Sequence, residues 1–412
     1  MSAISPELAY RARAVRRHAA RVYVPSAVPV RALLVSRLLV LAAGVAGALI
    51  VGRRAGWSTF DPTKLTVHLG AVGNILAAPA VRWDSIHYLA IAVGGYPTSA
   101  STPFFPFYPL LVRALGFVLG SDPVAGIVIS LVAFWVALTL LHRLTALELG
   151  SRAADATVLL LAFAPLSFFF SAVYTESLFL ALSLGSFYAA RRGRWKLAAG
   201  LGGVAAATRV TGILLALPLT IIYLQERRRP DRGVAWLLLV PAGLAAYLGF
   251  LAIKGYGVLA PIREQIVGHQ HQMAGSLETV VAAVRAAAAG LRWIGAQPIY
   301  SPSIGGALAP GAESMLLFAV LAIAVAALVA AFRRLPIAYG AYGLVALFAV
   351  TWSPVANQPL QSLDRYALTI FPLWMAAGAW LSERRLTRGA VLVSAALLAF
   401  WTFQFASWTW VA

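Results

Sequence analysis

The sequence has no cysteine in 412 residues, which excludes a disulfide framework and any thiolate metal or redox centre. Charge is scarce too: 11% of residues are Asp, Glu, Lys or Arg, against about one quarter in soluble globular domains. Acids are the scarcer sign, 14 against 33 basic residues. No Gly-rich loop of Walker or Rossmann type occurs, which argues against a nucleotide-driven pump or a soluble nucleotide cofactor. A Gly-x-Ser-x-Gly nucleophile elbow is missing as well, and no repeat of fixed period is visible.

What is abundant is apolar. Hydrophobic residues make up 61% of the chain and the mean hydropathy is +0.81. A soluble fold cannot bury that much apolar surface and still cover itself with polar groups. Lipid must therefore be part of its solvent. The net charge of +19 raises nucleic acid as a partner, but placement decides against it. The cations sit in short runs between apolar stretches, such as Arg191-Arg192-Gly193-Arg194-Trp195-Lys196 and Arg227-Arg228-Arg229. That is the pattern of topology-setting loops, and no continuous basic face with interleaved aromatics is present.

A spanning helix needs about 20 mostly apolar residues. Such stretches occur at 32–51, 124–144, 154–172, 176–190, 234–253, 314–332, 336–352, 366–381 and 389–410. The expected fold is an all-α integral membrane protein of about nine full spans plus a short helical hairpin. The hairpin covers 197–224 and bends at 209–212, which would put Arg209 deep in the membrane, where a charge is expensive and suggests function. Residues 1–31 read as a basic cytoplasmic tail with a retained first span, and 32–412 as one polytopic domain.

Alternate connections are basic, as the positive-inside rule requires. Inner segments receive Arg11, Arg13, Arg16, Arg17, Arg21, Arg143, Arg152, Arg191, Arg192, Arg194, Arg227, Arg333, Arg334, Arg384 and Arg385 among others. Outer segments hold fewer cations over longer loops, at about 52–122 and 254–313. The expectation is a multi-pass cell-membrane protein with its N-terminus cytoplasmic and its site on the extracytoplasmic face. Within the second loop, 277–294 reads as an amphipathic surface helix.

Three constellations on the outer side carry chemistry. The first is Arg82-Trp83-Asp84 with His87, Tyr88 and Tyr96, followed by Phe104-Phe105-Pro106-Phe107-Tyr108-Pro109. An interfacial aromatic belt would explain the rings. It does not need an acid among them, and a partly desolvated carboxylate suits proton uptake from a sugar hydroxyl. The second is Tyr174-Thr175-Glu176-Ser177, where the plain reading is a Thr175 N-cap with an acid favoured by the helix dipole. The third is Asp364-Arg365-Tyr366. An Arg there could grip a phosphate bidentately, or form a local Asp–Arg pair or snorkelling anchor. His269 and His271 invite a metal reading, but a lone His-x-His lacks the further ligands a site needs.

These motifs, with Ala189-Ala190-Arg191-Arg192-Gly193-Arg194-Trp195 and Ala207-Thr208-Arg209, resemble bacterial PIG-V-like mannosyltransferases. The resemblance covers about 32–381 and is most specific in the first half. It implies a GT-C-like multi-span helical bundle whose long first outer loop carries the essential acid. It also implies a polyprenyl-phosphate sugar donor, usually mannose, and inverting transfer without a nucleotide sugar. By that resemblance Asp84 is the base and Glu176 a second catalytic candidate. Arg82, Trp83, His87, Tyr88, Tyr108, Arg209, Asp364 and Arg365 are substrate-binding candidates. His87 and the lack of a Pro after Arg209 depart from the family pattern.

Three classes of acceptor fit: a glycolipid, a polysaccharide or a protein. Membrane lipid is the other partner. No cofactor and no nucleic acid are expected, and a divalent metal stays open. The competing class is a transporter or flippase for a lipid-linked or small solute, which would place its polar groups near the midplane.

Overall fold

The computed structural model describes residues 26–66, 69–227, 231–268, 272, 274–293, 295–296, 298–355 and 358–411. Most of the basic tail, Arg228, Arg229, and the His269 and His271 pair lie outside them. The chain is a multi-pass membrane protein. Five helical stretches are long and apolar enough to cross a membrane: Val28–Ile50, Asp122–Leu149, Arg232–Ile253, Pro310–Arg334 and Thr387–Ala406.

In chain order, α1 (Val28–Ile50) opens with Pro29 in its first turn, where a missing N–H costs nothing. The first long connection, 52–122, is largely helical rather than looped. It holds α2 (Asp84–Gly94) and α3 (Phe107–Leu119), the second apolar, with Leu110, Phe117 and Val118 exposed. Next come α4 (Asp122–Leu149) and α5 (Ser151–Ala162). The expected helix over 154–172 stops at Ala162, because Pro165 disfavours helical geometry just before it. The chain continues as a 3-10 turn, Ser167–Phe170.

That broken end is held by Arg37, half-buried in the first span. Its guanidinium donates to the carbonyls of Ala162 (3.0 Å) and Ser167 (2.7 Å), and to the hydroxyls of Ser167 (2.8 Å) and Ser171 (2.9 Å). It also lies over the Phe134 ring at 4.9 Å. Arg37→Ala is expected to destabilise the protein by about 1–3 kcal/mol, through the four hydrogen bonds lost at the broken end of α5. The unfolding midpoint in detergent, compared with wild type, checks this.

The hairpin follows. α6 (Glu176–Arg191) runs to a basic turn, α7 (Trp195–Thr208) returns, and α8 (Ala216–Glu226) goes back after a 3-10 segment, Val210–Leu215. Both ends of 195–226 meet: Trp195 and Tyr223 rings are 4.8 Å apart, and Arg191 is 3.8 Å from Glu226. The bend falls at Arg209, as expected. α6 and α7 are antiparallel neighbours of similar length, so Arg209 lies level with Glu176, 2.9 Å from its carboxylate.

The turn works only because residue 212 has no side chain. A Cβ on Gly212 would lie 2.3 Å from the Ala206 nitrogen and 2.5 Å from the Ala205 carbonyl oxygen. Gly212→Ala should destabilise by about 1–3 kcal/mol, since backbone rather than a flexible side chain must move. It should also loosen Arg209, so thermal midpoint and activity should fall together.

α9 (Leu239–Ile253) crosses α7 in backbone contact, where a Cβ on Gly243 would be 1.9 Å from the Gly203 carbonyl oxygen. Small residues at such crossings are how apolar helices pack tightly without a hydrophobic drive between them. α10 (Ser276–Trp293) matches the amphipathic surface helix and packs on α11 (Pro310–Arg334). A two-stranded hairpin between them, β1 (Tyr300–Ser303) and β2 (Gly306–Leu308), is the only sheet among the described residues and a departure from an all-α chain.

α12 (Ile337–Thr351) is followed by α13 (Leu363–Ala367) and α14 (Phe371–Glu383), and α15 (Thr387–Ala406) packs on α1. The expected continuous helix over 366–381 is thus divided, with Pro372 in the first turn of α14. The break frees α13 to aim its side chains into the site.

Candidate active site

The chain enters α2 through Trp83, at φ 56° and ψ −120°. A bulky residue at positive φ is an outlier that its surroundings must hold in place. Trp83 is held by rings: Phe60 at 4.8 Å, Trp408 at 5.7 Å and Trp410 at 5.0 Å. Arg82, on the near side of this kink, turns away from Asp84. It donates to the carbonyls of Ala78, Val81 and Ala406 and lies over Trp408. Both residues therefore shape the kink. Neither reaches the cluster that Asp84 joins.

Tyr174 ties the kink to the start of α6. The Asp84 backbone N–H donates to its hydroxyl at 3.2 Å, and that hydroxyl donates to the Arg82 carbonyl at 3.1 Å. At the other end of α2, Arg113 donates to the carbonyls of Ala92 and Val93, both at 3.1 Å. These groups would otherwise lack partners at a helix C-terminus. Sequence reading did not single out Tyr174 or Arg113 as positioning residues.

Four charges then converge. Arg365 donates to Asp84 Oδ2 at 2.8 Å and through Nε to Glu176 Oε1 at 2.6 Å. Arg209 meets the same Glu176 Oε1 at 2.9 Å. Glu176 is fully buried, and its Oε2 has no hydrogen-bond partner. Asp84 keeps 23% of its side chain exposed. Arg365 lies over the rings of Tyr174 (4.7 Å) and Phe169 (5.0 Å), and Arg209 over Tyr366 (5.2 Å). Aromatic faces stabilise cations they help to desolvate.

The local readings of two motifs are corrected here. Thr175 sits at the N-cap of α6 but makes no capping hydrogen bond. Its hydroxyl instead meets the Tyr88 hydroxyl at 3.3 Å and accepts from Arg209 at 3.4 Å. Arg365 does not pair with its neighbour's charge: Asp364 Oδ1 accepts only from the Arg365 backbone N–H, at 2.9 Å. Asp364 lines a separate small cavity with Glu313, Trp401 and Trp410.

Of the ten candidate residues, the structure brings together Asp84, Glu176, Arg209 and Arg365, with Tyr88 beside them through Thr175. Tyr108 is buried and bonds to Gly126 and Ser130, both at 3.0 Å. His87 is exposed and stacks on Phe104 at 4.4 Å. Among the described residues no three His, Asp or Glu side chains gather as a metal site.

A second ionic cluster marks the far end of the bundle. Arg191 pairs with Glu148 at 2.7 Å, and the Tyr339 hydroxyl donates to the same carboxylate at 2.9 Å. α6 connects the two clusters, and its sixteen residues rise about 1.5 Å each. The two carboxylate-containing clusters thus lie at opposite ends of α6.

Fold and site together define a multi-pass membrane protein with a buried carboxylate–arginine cluster at one end. Its relatives are more specific. Residues 66–225 match the family described as Mannosyltransferase (PIG-V), so the resemblance read from the motifs is shown over that stretch. The chain is 30% identical over 148 residues to GPI mannosyltransferase 2 of Yarrowia lipolytica, covering 35% of this chain and 41% of that one. It is 31% identical over 144 residues to GPI alpha-1,6-mannosyltransferase 2 of Cricetulus griseus, covering 32% and 29%. The matched stretch thus spans about two fifths or less of these relatives' length.

Among solved structures, the crystal structure of ArnT from Cupriavidus metallidurans in the apo state is similar at 17% identity and a TM-score of 0.40, covering 80% of this chain and 70% of that chain. Arg365 lies beyond the stretch that matches the family. It nevertheless closes the cluster.

Proposed function

We propose that the protein is a membrane glycosyltransferase that moves mannose from a polyprenyl-phosphate donor to a hydroxyl acceptor, with inversion. The observation that carries the assignment of the base is the difference between the two carboxylates. Asp84 is 23% exposed and Glu176 is fully buried, so only Asp84 can meet an acceptor. Asp84 takes the acceptor's proton as its oxygen attacks the anomeric carbon. The bond from that carbon to the phosphate oxygen breaks, and the polyprenyl phosphate leaves with the bonding pair.

Arg365 and Arg209 stabilise the charge that develops on the leaving phosphate, the preorganised electrostatics such a transfer depends on. Glu176 is then a positioning residue, because both arginines hang on its one oxygen. The site faces the extracytoplasmic side in this reading, since the basic turn at Arg191–Arg194 lies at the opposite end of α6. The acceptor is a glycolipid, a polysaccharide or a protein hydroxyl.

Purified protein offered mannose on polyprenyl phosphate or on a nucleotide tests the donor class. Transfer from the lipid alone is expected. Transfer from the nucleotide sugar at a comparable rate would overturn the reading.

A further inference from the structure

A cavity of about 830 Å³ runs along the outside of the bundle between α4, α6 and α7, from Leu178 near the start of α6 to Arg192 and Arg194 past its end. It is within the roughly 300–1,000 Å³ range of ligand sites. Its floor is low because α6 presents Ala181, Gly185 and Ala189 at successive four-residue steps, which share one helical face. Its rim is open sideways, since Val132 and Leu197 are 53% and 49% exposed. From Val128 to Arg143 on α4 it extends about 22 Å at helical rise, more than half of the ~30 Å hydrocarbon thickness.

The chemistry of the groove is one-sided. Its walls are apolar, and its polar groups lie at the end opposite the carboxylate–arginine cluster. Arg143, Arg192 and Arg194 line that end with Tyr188, and no carboxylate lines the cavity. Arg192 and Arg194 are exposed, and Arg192 also bonds to the Tyr188 hydroxyl at 3.2 Å. An apolar trough of this length capped by three guanidinium groups at one end fits a lipid chain whose anionic headgroup lies at that end.

We infer that this groove binds an anionic glycerophospholipid from the leaflet opposite the active site. The headgroup phosphate meets Arg192 and Arg194, with Arg143 beneath, and one acyl chain lies over the Ala181–Gly185–Ala189 floor. Guanidinium groups suit that contact because their donors fork onto phosphate oxygens. Because α6 forms the floor and begins at Glu176, an occupied groove braces the helix that holds both arginines of the site.

The full chain in phosphatidylcholine nanodiscs, titrated with phosphatidylglycerol, tests this by unfolding midpoint and by native mass spectrometry. Phosphatidylglycerol should raise the midpoint and stay bound, and phosphatidylcholine, a zwitterion with no net charge, should not replace it. Arg192→Gln and Arg194→Gln should each weaken the effect about fivefold, as for one lost cation beside an anionic surface. Val132→Trp, at a lipid-exposed position, should block the trough while keeping the wild-type midpoint in pure phosphatidylcholine. Equal effects of the two lipids, or a phosphatidylglycerol effect that survives all three substitutions, would overturn the inference. So would loss of polyprenyl phosphate binding in Val132→Trp with phosphatidylglycerol binding unchanged, which would assign the groove to the donor's tail.

Discussion

Arg365→Ala is expected to abolish transfer and to lower stability by about 3–5 kcal/mol, the usual effect of leaving a buried charge without its partner. Arg365 is 5% exposed and joins Asp84 to Glu176. Without it, Glu176 keeps only Arg209, and the buried Oε2 already lacks a partner. Arg365→Lys separates charge from geometry. An ammonium restores one positive charge but cannot present two forked donors to two carboxylates. The lysine variant should therefore regain much of the lost stability and little of the activity. Unfolding midpoints and initial rates on the same preparations decide the matter. Full activity in the lysine variant would show that charge alone suffices.

Asp84→Asn is expected to lower the turnover number by about 10²–10⁴-fold, the contribution of a positioned general base. Stability should change little, because Asp84 is partly exposed and its side chain makes one ion pair. The amide keeps the shape and can still accept from Arg365, but it cannot take a proton. The effect should fall on kcat rather than on donor binding. A change confined to KM would make Asp84 a binding residue and leave the base to be found elsewhere.

The apolar spans were legible because a hydropathy run needs no tertiary knowledge. Asp122–Leu149 and Pro310–Arg334 contain the stretches expected from the sequence, and Val28–Ile50 covers 32–51 but for its last residue. The division of 154–172 and of 366–381 was written in Pro165 and Pro372, but a window averaged over about 20 residues conceals a single breaker. Arg37 escaped notice for the same reason, as one cation in an otherwise apolar run. Its role depends on a break in another helix, 125 to 134 residues away.

The site was legible in part. Asp84, Glu176, Arg209 and Arg365 stood out as rare charges beside apolar spans, and rare charges there need partners. Which of them pair was not legible, because Asp84 and Arg365 are 281 residues apart. The nearest-neighbour reading, Asp364 with Arg365, failed for that reason. Arg82 and Trp83 adjoin Asp84 in sequence, yet their side chains pack away from its ion-pair cluster. The positive φ of Trp83 turns the chain between them, and no sequence pattern announces a bulky residue in that conformation.

The proposed role of Asp84 is to take the acceptor's proton. The most direct test measures donor binding and single-turnover transfer from polyprenyl-phosphate mannose on wild type and Asp84→Asn in parallel. Donor affinity is expected within error of wild type, and transfer reduced by at least about a hundredfold. Transfer by Asp84→Asn at the wild-type rate would show that another group is the base.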